Sequence, residues 1–488
     1  MNESTRCGDV PDAMQSASQL LAQGDVAAAV RTLEEAALSH PASAEIHLNL
    51  GALLRAAGDL DSAARAVRQA IALQPDWPEA HYNLGNALAS CKAWNEAIES
   101  YGIALALRPE WAEARNALGV AYLGASCHDE AHEAFVRARA LAPVWPMPSY
   151  NLGRAAFGRG DLQAAEEMFR DAIRRAPGFA PAHRDLGIML LVRGDYENGW
   201  PEYEWRWHPS IRSMPFDPAL LWDGSLLAGR TILLWQEQGL GDALQFIRYA
   251  PLLARHGRVV VMVHPALLRL FRSVKGVETV VVQGDALPPV DIHLPLVSLA
   301  GHFGTTLTTI PSGVPYLQVP EEERSRAAAL IPADGPFRVG VVWQSGNGRP
   351  DHSSRDCPPE LLVALANEDI VLYNLQHRVA SGELPFEDLP TGDFASTAAL
   401  VERLDLIVTV DTAMAHLAGA LGKPVFLLVG DPPDWRWSRD GDRSPWYPTM
   451  LLFRRHHRPW VDVITDVRRG LLEVMDASTV RGSSIKAR

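Results

Sequence analysis

Cysteine is scarce: Cys7, Cys91, Cys127 and Cys357 are scattered through 488 residues with no metal-like spacing. That argues against a zinc module or a disulfide framework and points to reduced thiols in a cytoplasm. Long apolar runs are missing too, none approaching the ~20 residues of a membrane span. The opening stretch MNESTRCGDVPDAM has neither the basic nor the apolar block of a secretory signal, which again fits a cytoplasmic protein. Positive charge is not in excess. A net charge of −13 argues against a general nucleic-acid binder. What is present is ordinary globular composition, 47% hydrophobic and 21% charged, in a chain too long for one core.

The amino-terminal half repeats itself. Prolines recur at Pro41, Pro75, Pro109, Pro143 and Pro177, and glycines at Gly51, Gly85, Gly119, Gly153 and Gly187, each 34 residues after the last. This is the period of the helix-turn-helix tetratricopeptide unit, with inter-helix turns at Gly24, Gly58, Gly160 and Gly194 and with Lys92 and Ser126 substituting in the middle. Such units stack into an α-solenoid whose concave groove binds extended peptide. Asn49, Asn83, Asn151 and Asp185 occupy one slot of the repeat. An asparagine amide can both donate to and accept from a peptide group, so the slot reads either as a ladder for a peptide acceptor or as bracing of neighbouring turns. The ladder resembles the peptide groove of O-linked N-acetylglucosamine transferases, although Ala117 breaks it.

After the repeats the composition changes. Residues 194–208, GDYENGWPEYEWRWH, are dense in aromatics that can stack on sugars or bases but read better as a domain joint. From Arg230 strands and helices alternate: strand Thr231 to Trp235, glycine-rich turn Gln236 to Asp242, helix Ala243 to His256, and strand Val259 to Val263. A proline-rich crossing spans Gly301 to Gly335. A second α/β half begins at strand Arg338 to Trp343. Val461 to Met475 reads as a final helix packing back across the first half. The boundaries are a solenoid over 1–198, a junction over 199–229, and α/β lobes over 230–335 and 336–488.

The most informative stretch is DLIVTVDTAMAHLAGALGKP, Asp405 to Pro424. The apolar run Leu406 to Val410 reads as a buried parallel strand, Thr412 to Leu421 as a helix stopped by Gly422 and Pro424, and Val425 to Val429 as the next strand. Asp411, Thr412, Ala413 and Met414 then sit where a strand's carboxyl end meets a helix's amino end. Ligands of open parallel sheets bind there, and unpaired helix amides suit a diphosphate.

GLGDALQFIRY (Gly239 to Tyr249), VGVVWQSGN (Val339 to Asn347) and VDTAMAHLAGALGKP (Val410 to Pro424) resemble the heptosyltransferase-like family of bacterial GT-B glycosyltransferases. With DWRW (Asp434 to Trp437) and SPWYP (Ser444 to Pro448), the chain resembles the tetratricopeptide-fused branch of that family. The resemblance implies two Rossmann-like lobes and sugar transfer from a nucleotide-diphosphate sugar, the co-substrate, to an acceptor hydroxyl, with no cofactor and no metal. It implies Asp242 as general base, against a plain reading as cap of a helix beginning at Ala243. For the donor it implies Gly239, Gly241, Gln344, Ser345, Arg355, Gln376, Asp393, Asp411, Thr412, Ala413, Met414 and His416. The branch has a longer basic run where this chain has Asp351-His352-Ser353-Ser354-Arg355-Asp356. That difference leaves a second reading open, a scaffold whose transferase-like lobes no longer catalyse. Asp440-Gly441-Asp442 and Arg454 to Arg458 read as a polar turn and a solvated edge.

Overall fold

The computed structural model describes residues 10–346, 355–377 and 379–485, the last nine of these by backbone alone. Cys7 lies outside the described residues. The chain forms two compact units that meet in sequence at Leu186 and Gly187. Among the described residues no helix is long and apolar enough to cross a membrane.

The first unit is built from helix pairs. They are α1 (Val10–Ala22) with α2 (Val26–Ser39), α3 (Ala44–Ala57) with α4 (Leu60–Leu73), α5 (Pro78–Ser90) with α6 (Trp94–Leu107), α7 (Ala112–Gly124) with α8 (His128–Leu141), and α9 (Met147–Gly158) with α10 (Leu162–Arg175). α11 (Ala180–Arg193) and α12 (Tyr196–Tyr203) continue the pattern. In α5, α7 and α9 the repeat's glycine is required by contact. A Cβ on Gly85 would stand 2.5 Å from Tyr101, one on Gly119 2.5 Å from Phe135, and one on Gly153 2.7 Å from Phe169. The second helix begins at an Asp cap in three pairs, Asp25, Asp59 and Asp161, each accepting a backbone N–H three residues on. In the middle pairs Ala93 and Cys127 hold that position without a side-chain cap. The turn before it keeps its left-handed residue even where glycine is lost, with φ of 61° at Lys92 and 63° at Ser126.

The second unit carries two parallel sheets. β1 (Thr231–Trp235) leads to α13 (Leu240–Phe246) and α14 (Ala250–Leu253), then β2 (Arg258–Val263), α15 (Leu268–Phe271), β3 (Val277–Val282), β4 (Ile292–Pro295) and α16 (Leu299–His302). The strand order is β3-β2-β1-β4. α17 (Glu321–Leu330) follows, then β5 (Phe337–Val342), α18 (Pro359–Leu362), β6 (Ile370–Asn374), β7 (Glu387–Asp388), α19 (Phe394–Arg403), β8 (Leu406–Val410), α20 (Ala413–Ala420), β9 (Val425–Val429), β10 (Met450–Arg454) and α21 (Trp460–Ile485). Their order is β10-β9-β8-β5-β6-β7. Read from β7 this is a doubly wound sheet in which chain progress reverses between β5 and β8. The central strands are apolar because both faces are covered: every residue of β8 and β9 is buried.

Several details differ from the sequence reading. The helix expected over Ala243 to His256 starts earlier, at Leu240, and breaks into α13, a 3₁₀ turn and α14, with Pro251 inside the last. α17 lies inside the stretch taken as a bare crossing. The final helix does not pack across the first sheet. Trp460, Val463, Ile464, Val467 and Leu471 form one apolar stripe that joins the core of the second sheet with Phe426 and Leu428. Arg454, read as solvated, is buried, and its guanidinium donates to the carbonyls of Trp437, Ser438 and Gly441. The Asp440 to Asp442 turn is thus folded around a cation.

Candidate functional site

Chain progress reverses between β5 and β8, the place where open parallel sheets offer a ligand crevice at the strands' carboxyl ends, and the residues at its two sides are held separately. Beyond β5, the Gln376 Oε1 accepts from the amides of Trp343 (3.2 Å) and Gln344 (3.1 Å), and its Nε2 donates to the Gln344 carbonyl. Gln376 therefore braces the first turn of the loop, where a nucleoside contact was expected. Asp356 clamps the loop's base by accepting from both the amide and the hydroxyl of Ser345, each at 2.8 Å. Asp356 thus has a structural task. Residues 347–354, with Asn347 and Asp351 to Ser354, lie outside the described residues. Arg355 reaches across the crevice to Asp411 at the end of β8, with Nη1 3.1 Å from Oδ2.

On the β8 side, Thr412 caps α20. Its φ of −142° and ψ of 174° are extended, and its Oγ1 accepts from the Met414 amide at 3.2 Å. The Thr412 hydroxyl in turn donates to Thr409 Oγ1, 3.2 Å away, which donates to the Val410 carbonyl. The Met414 amide is therefore engaged within the turn, whereas the Ala413 amide, first in the helix, has no acceptor one turn back within it. One turn on, His416 is buried, hydrogen-bonded through Nδ1 to the Tyr447 hydroxyl at 2.9 Å and stacked on Trp437 at 5.1 Å. Burial, with Arg436 adding to it, pushes the imidazole down to about 3, so it is neutral at physiological pH.

The first sheet presents α13 to α20. Gly241 lies against its first turn: a Cβ there would stand 2.7 Å from His416 Cδ2 and 3.5 Å from Ala413 Cα. Gly241 is thus required by helix packing. Asp242, at the third position of α13, accepts from the Gly239 amide through Oδ2 at 2.9 Å. It therefore caps the helix from inside its first turn, not from a position before Ala243.

Its other oxygen is paired. Arg436 Nη2 bonds Asp242 Oδ1, Nη1 bonds Asp434 Oδ1 at 2.8 Å, and Nε donates to Gln245 Oε1 at 2.9 Å. The guanidinium also lies over the Trp435 ring, 4.1 Å from its centre. Three carboxylates, Asp242, Asp411 and Asp434, thus share two arginines. Burial raises the Asp242 carboxyl, opposed by Arg436. Burial and then the charge of Asp434 push Asp411 up to about 6 against the pull of Arg355. Burial works against the Asp434 charge most strongly, but the charge and hydrogen bonds of Arg436 together with the charge of Arg355 hold that group low. Among the described residues no three His, Cys, Asp or Glu side chains are grouped to hold a metal ion. Asp434, Arg436 and Gln245 were missed in the sequence. The signal was the DWRW run, whose charged residues are flanked by tryptophans that bury them.

The turn carrying Asp242 is itself braced. Arg206 pairs with buried Glu237 through two bonds of 2.9 Å, Glu237 accepts from the Val297 amide, and Gln238 donates to the Tyr203 hydroxyl. Tyr196, Trp200, Trp435 and Trp446 pack edge to face or stacked on one another. Tyr196, Trp200, Tyr203 and Trp207 of the aromatic run are therefore buried inside the second unit.

The remaining expected residues lie elsewhere or are engaged. Asp393 caps α19 through the Ser396 amide and pairs with Arg269, which also holds Glu322 and Glu323. In the solenoid, Asn49 donates to the Glu45 carbonyl of its own helix at 2.9 Å. Buried Asn151 donates to Asn116 Oδ1 at 2.9 Å, so Asn116 supplies a partner beside the gap at Ala117. Asp185 accepts from the Tyr150 hydroxyl and pairs with Arg184. Asn83 is half-exposed. Of the four positions, Asn151 and Asp185 thus tie one helix to another.

Comparison with known proteins adds a separate line. The model of glycosyltransferase family 9 (heptosyltransferase) matches residues 374–455, which include Asp411 to His416, Asp434 and Arg436. Tetratricopeptide models match residues 20–91, 85–125 and 150–202. Protein FlbA of Caulobacter vibrioides is 29% identical over 292 residues, covering 52% of this chain and 48% of that protein. The putative lipopolysaccharide heptosyltransferase 4 of Escherichia coli is 29% identical over 82 residues, 17% of this chain and 20% of that protein. The chain thus spans about half the length of one relative and a fifth of the other. Among solved structures, MamA 41-end from Desulfovibrio magneticus RS-1 matches at 25% identity over 36% of this chain and 98% of that one, with a TM-score of 0.33.

Proposed function

Taking the chain as tetratricopeptide repeats joined to a heptosyltransferase-like glycosyltransferase region, we propose that it moves a hexosyl or heptosyl group from a nucleoside-diphosphate sugar to a hydroxyl of a protein or peptide held by the repeats. Two doubly wound sheets in the second unit support the GT-B plan. The observation that carries the reading is the β8 to α20 turn at the strand-order reversal, with Arg355 and Asp411 facing each other across it.

In this reading the diphosphate sits at the α20 start, where amide dipoles and guanidiniums favour its charge. Asp242 takes the proton of the acceptor hydroxyl as its oxygen bonds the sugar's anomeric carbon. The bond from that carbon to the phosphate oxygen breaks, and the nucleoside diphosphate leaves with the electron pair. The charge that develops on the leaving group is assigned to Arg355 and Arg436, and neutral His416 supports the α20 turn from behind.

A second reading, a non-catalytic scaffold, is favoured by the pairing of Asp242 with Arg436, since a carboxylate in an ion pair is a poor base. Thermal unfolding against a panel of nucleoside-diphosphate sugars tests the donor site. A cognate sugar at ~100 times its dissociation constant adds about 2.7 kcal/mol. The donor reading is wrong if no member of the panel shifts the transition. Release of nucleoside diphosphate on adding acceptor then separates enzyme from scaffold.

A further inference from the structure

Among the described residues, ion pairs at the α20 start join Asp242, Asp411 and Asp434 to Arg355 and Arg436. The diphosphate of an arriving nucleotide sugar brings about two further negative charges, and guanidiniums are the groups whose N–H forks can turn to it. Arg436 is placed for such a turn. It joins the two sheets' elements, with Asp242 and Gln245 on α13 and Asp434 in the turn after β9. Stacking on Trp435 keeps its plane covered as its edge changes partner. The present arrangement also leaves a mismatch: Gln245 is fully buried, its Oε1 receives Arg436, and its Nε2 has no acceptor among the described residues.

We infer that Arg436 exchanges Asp242 for a diphosphate oxygen when the donor binds, so that the Asp242 carboxylate is released to accept a proton only once the donor is in place. The inference rests on the diphosphate reading above. Asp434 keeps its hold on Nη1 during the exchange, so the guanidinium stays within reach. One movement then does two things. It removes the Arg436 charge that opposes proton uptake by Asp242, and it adds positive charge where the leaving group's negative charge develops. Without a donor, Asp242 stays paired and cannot activate water or a stray hydroxyl near the sugar site.

Calorimetric titration of the full chain with inorganic pyrophosphate tests the exchange, using Asp242→Asn, Arg436→Lys and Arg436→Gln, each checked for folding by circular dichroism. Exchange predicts opposite signs. Asp242→Asn removes the carboxylate that competes for the guanidinium and tightens pyrophosphate about three- to tenfold, as when a non-competent state is depopulated. Arg436→Gln weakens it about tenfold or more, with Arg436→Lys between the two. Unchanged or weaker binding by Asp242→Asn overturns the exchange, and that arm alone decides if the Arg436 variants fail to fold. Should the unaltered chain bind neither pyrophosphate nor any nucleotide sugar, the diphosphate reading itself fails, and the inference with it.

Discussion

In the solenoid, the contacts that fix each turn are local and recur. Gly85 needs Tyr101, Gly119 needs Phe135, and Asp59 caps its own helix through Ser62. In the α/β unit the decisive contacts are made once and over long distances, as when Arg436 meets Asp242 across 194 residues. The difference teaches where robustness resides. A solenoid unit can lose a cap or a turn glycine, as the third and fourth pairs have, because neighbours on both sides still cover it. The charge cluster has no second copy, and removing one member leaves buried partners unmatched.

The largest expected effect tests that contrast directly. Arg436→Leu leaves Asp242 and Asp434 without their shared cation and destabilises the second unit by about 3–5 kcal/mol, read from its denaturant transition. A loss no larger than that of a surface ion pair would remove the distinction between the two units.

The same cluster has a pH signature with two opposing parts. Unfolded histidine gains a proton below roughly pH 6.5, whereas buried His416 stays neutral to about 3. His416 therefore takes away about 1.4 kcal/mol of stability per unit as pH falls between those values. Asp411 acts oppositely. Its folded group is protonated at about 6 and its unfolded one at roughly 3.9, so it returns stability as pH falls between them. His416→Gln should flatten or reverse the acid-side loss between roughly pH 6 and 4, and Asp411→Asn should steepen it. Urea titrations at each pH read both slopes, and equal slopes in the two variants contradict the burial assigned to these groups.

In the solenoid, Lys92→Gly places glycine where φ is 61° and should stabilise the first unit by about 1 kcal/mol. The smallest effect is expected from Arg68→Leu, which breaks an exposed pair with Glu96 and should change stability by no more than about 0.5 kcal/mol. A loss of several kcal/mol there would mean that solenoid charges also act over long range.

This contrast explains what the sequence made legible. The 34-residue period required only counting, because each of Gly51, Gly85, Gly119 and Gly153 meets its packing partner within one repeat. β8, α20 and β9 were legible because an apolar run, a capping Thr412 and a stop at Gly422 fall in one short stretch. β4 was not: it is four residues long and includes a histidine and a proline. The placement of α21 was not, since its stripe shows that a face is buried but not which sheet buries it. Gln376 and Asp393 were expected at a ligand, and their polar atoms hold backbone amides and an arginine instead. A polar side chain near a strand's end serves either purpose, and only the positions of neighbouring amides decide which. The pairing of Asp242 with Arg436 was beyond reach for the same reason.

The claim that the β8 to α20 turn grips a diphosphate is tested most directly by Ala413→Pro. Proline is tolerated at a helix's first position, and the extended Thr412 before it has the conformation that proline requires. The substitution removes a single backbone N–H and adds no charge. The account predicts a melting transition close to that of the unaltered chain and a nucleoside-diphosphate affinity lower by about tenfold in calorimetry, the loss expected for one charge-assisted hydrogen bond. A folded Ala413→Pro chain that binds nucleoside diphosphate with undiminished affinity would contradict it.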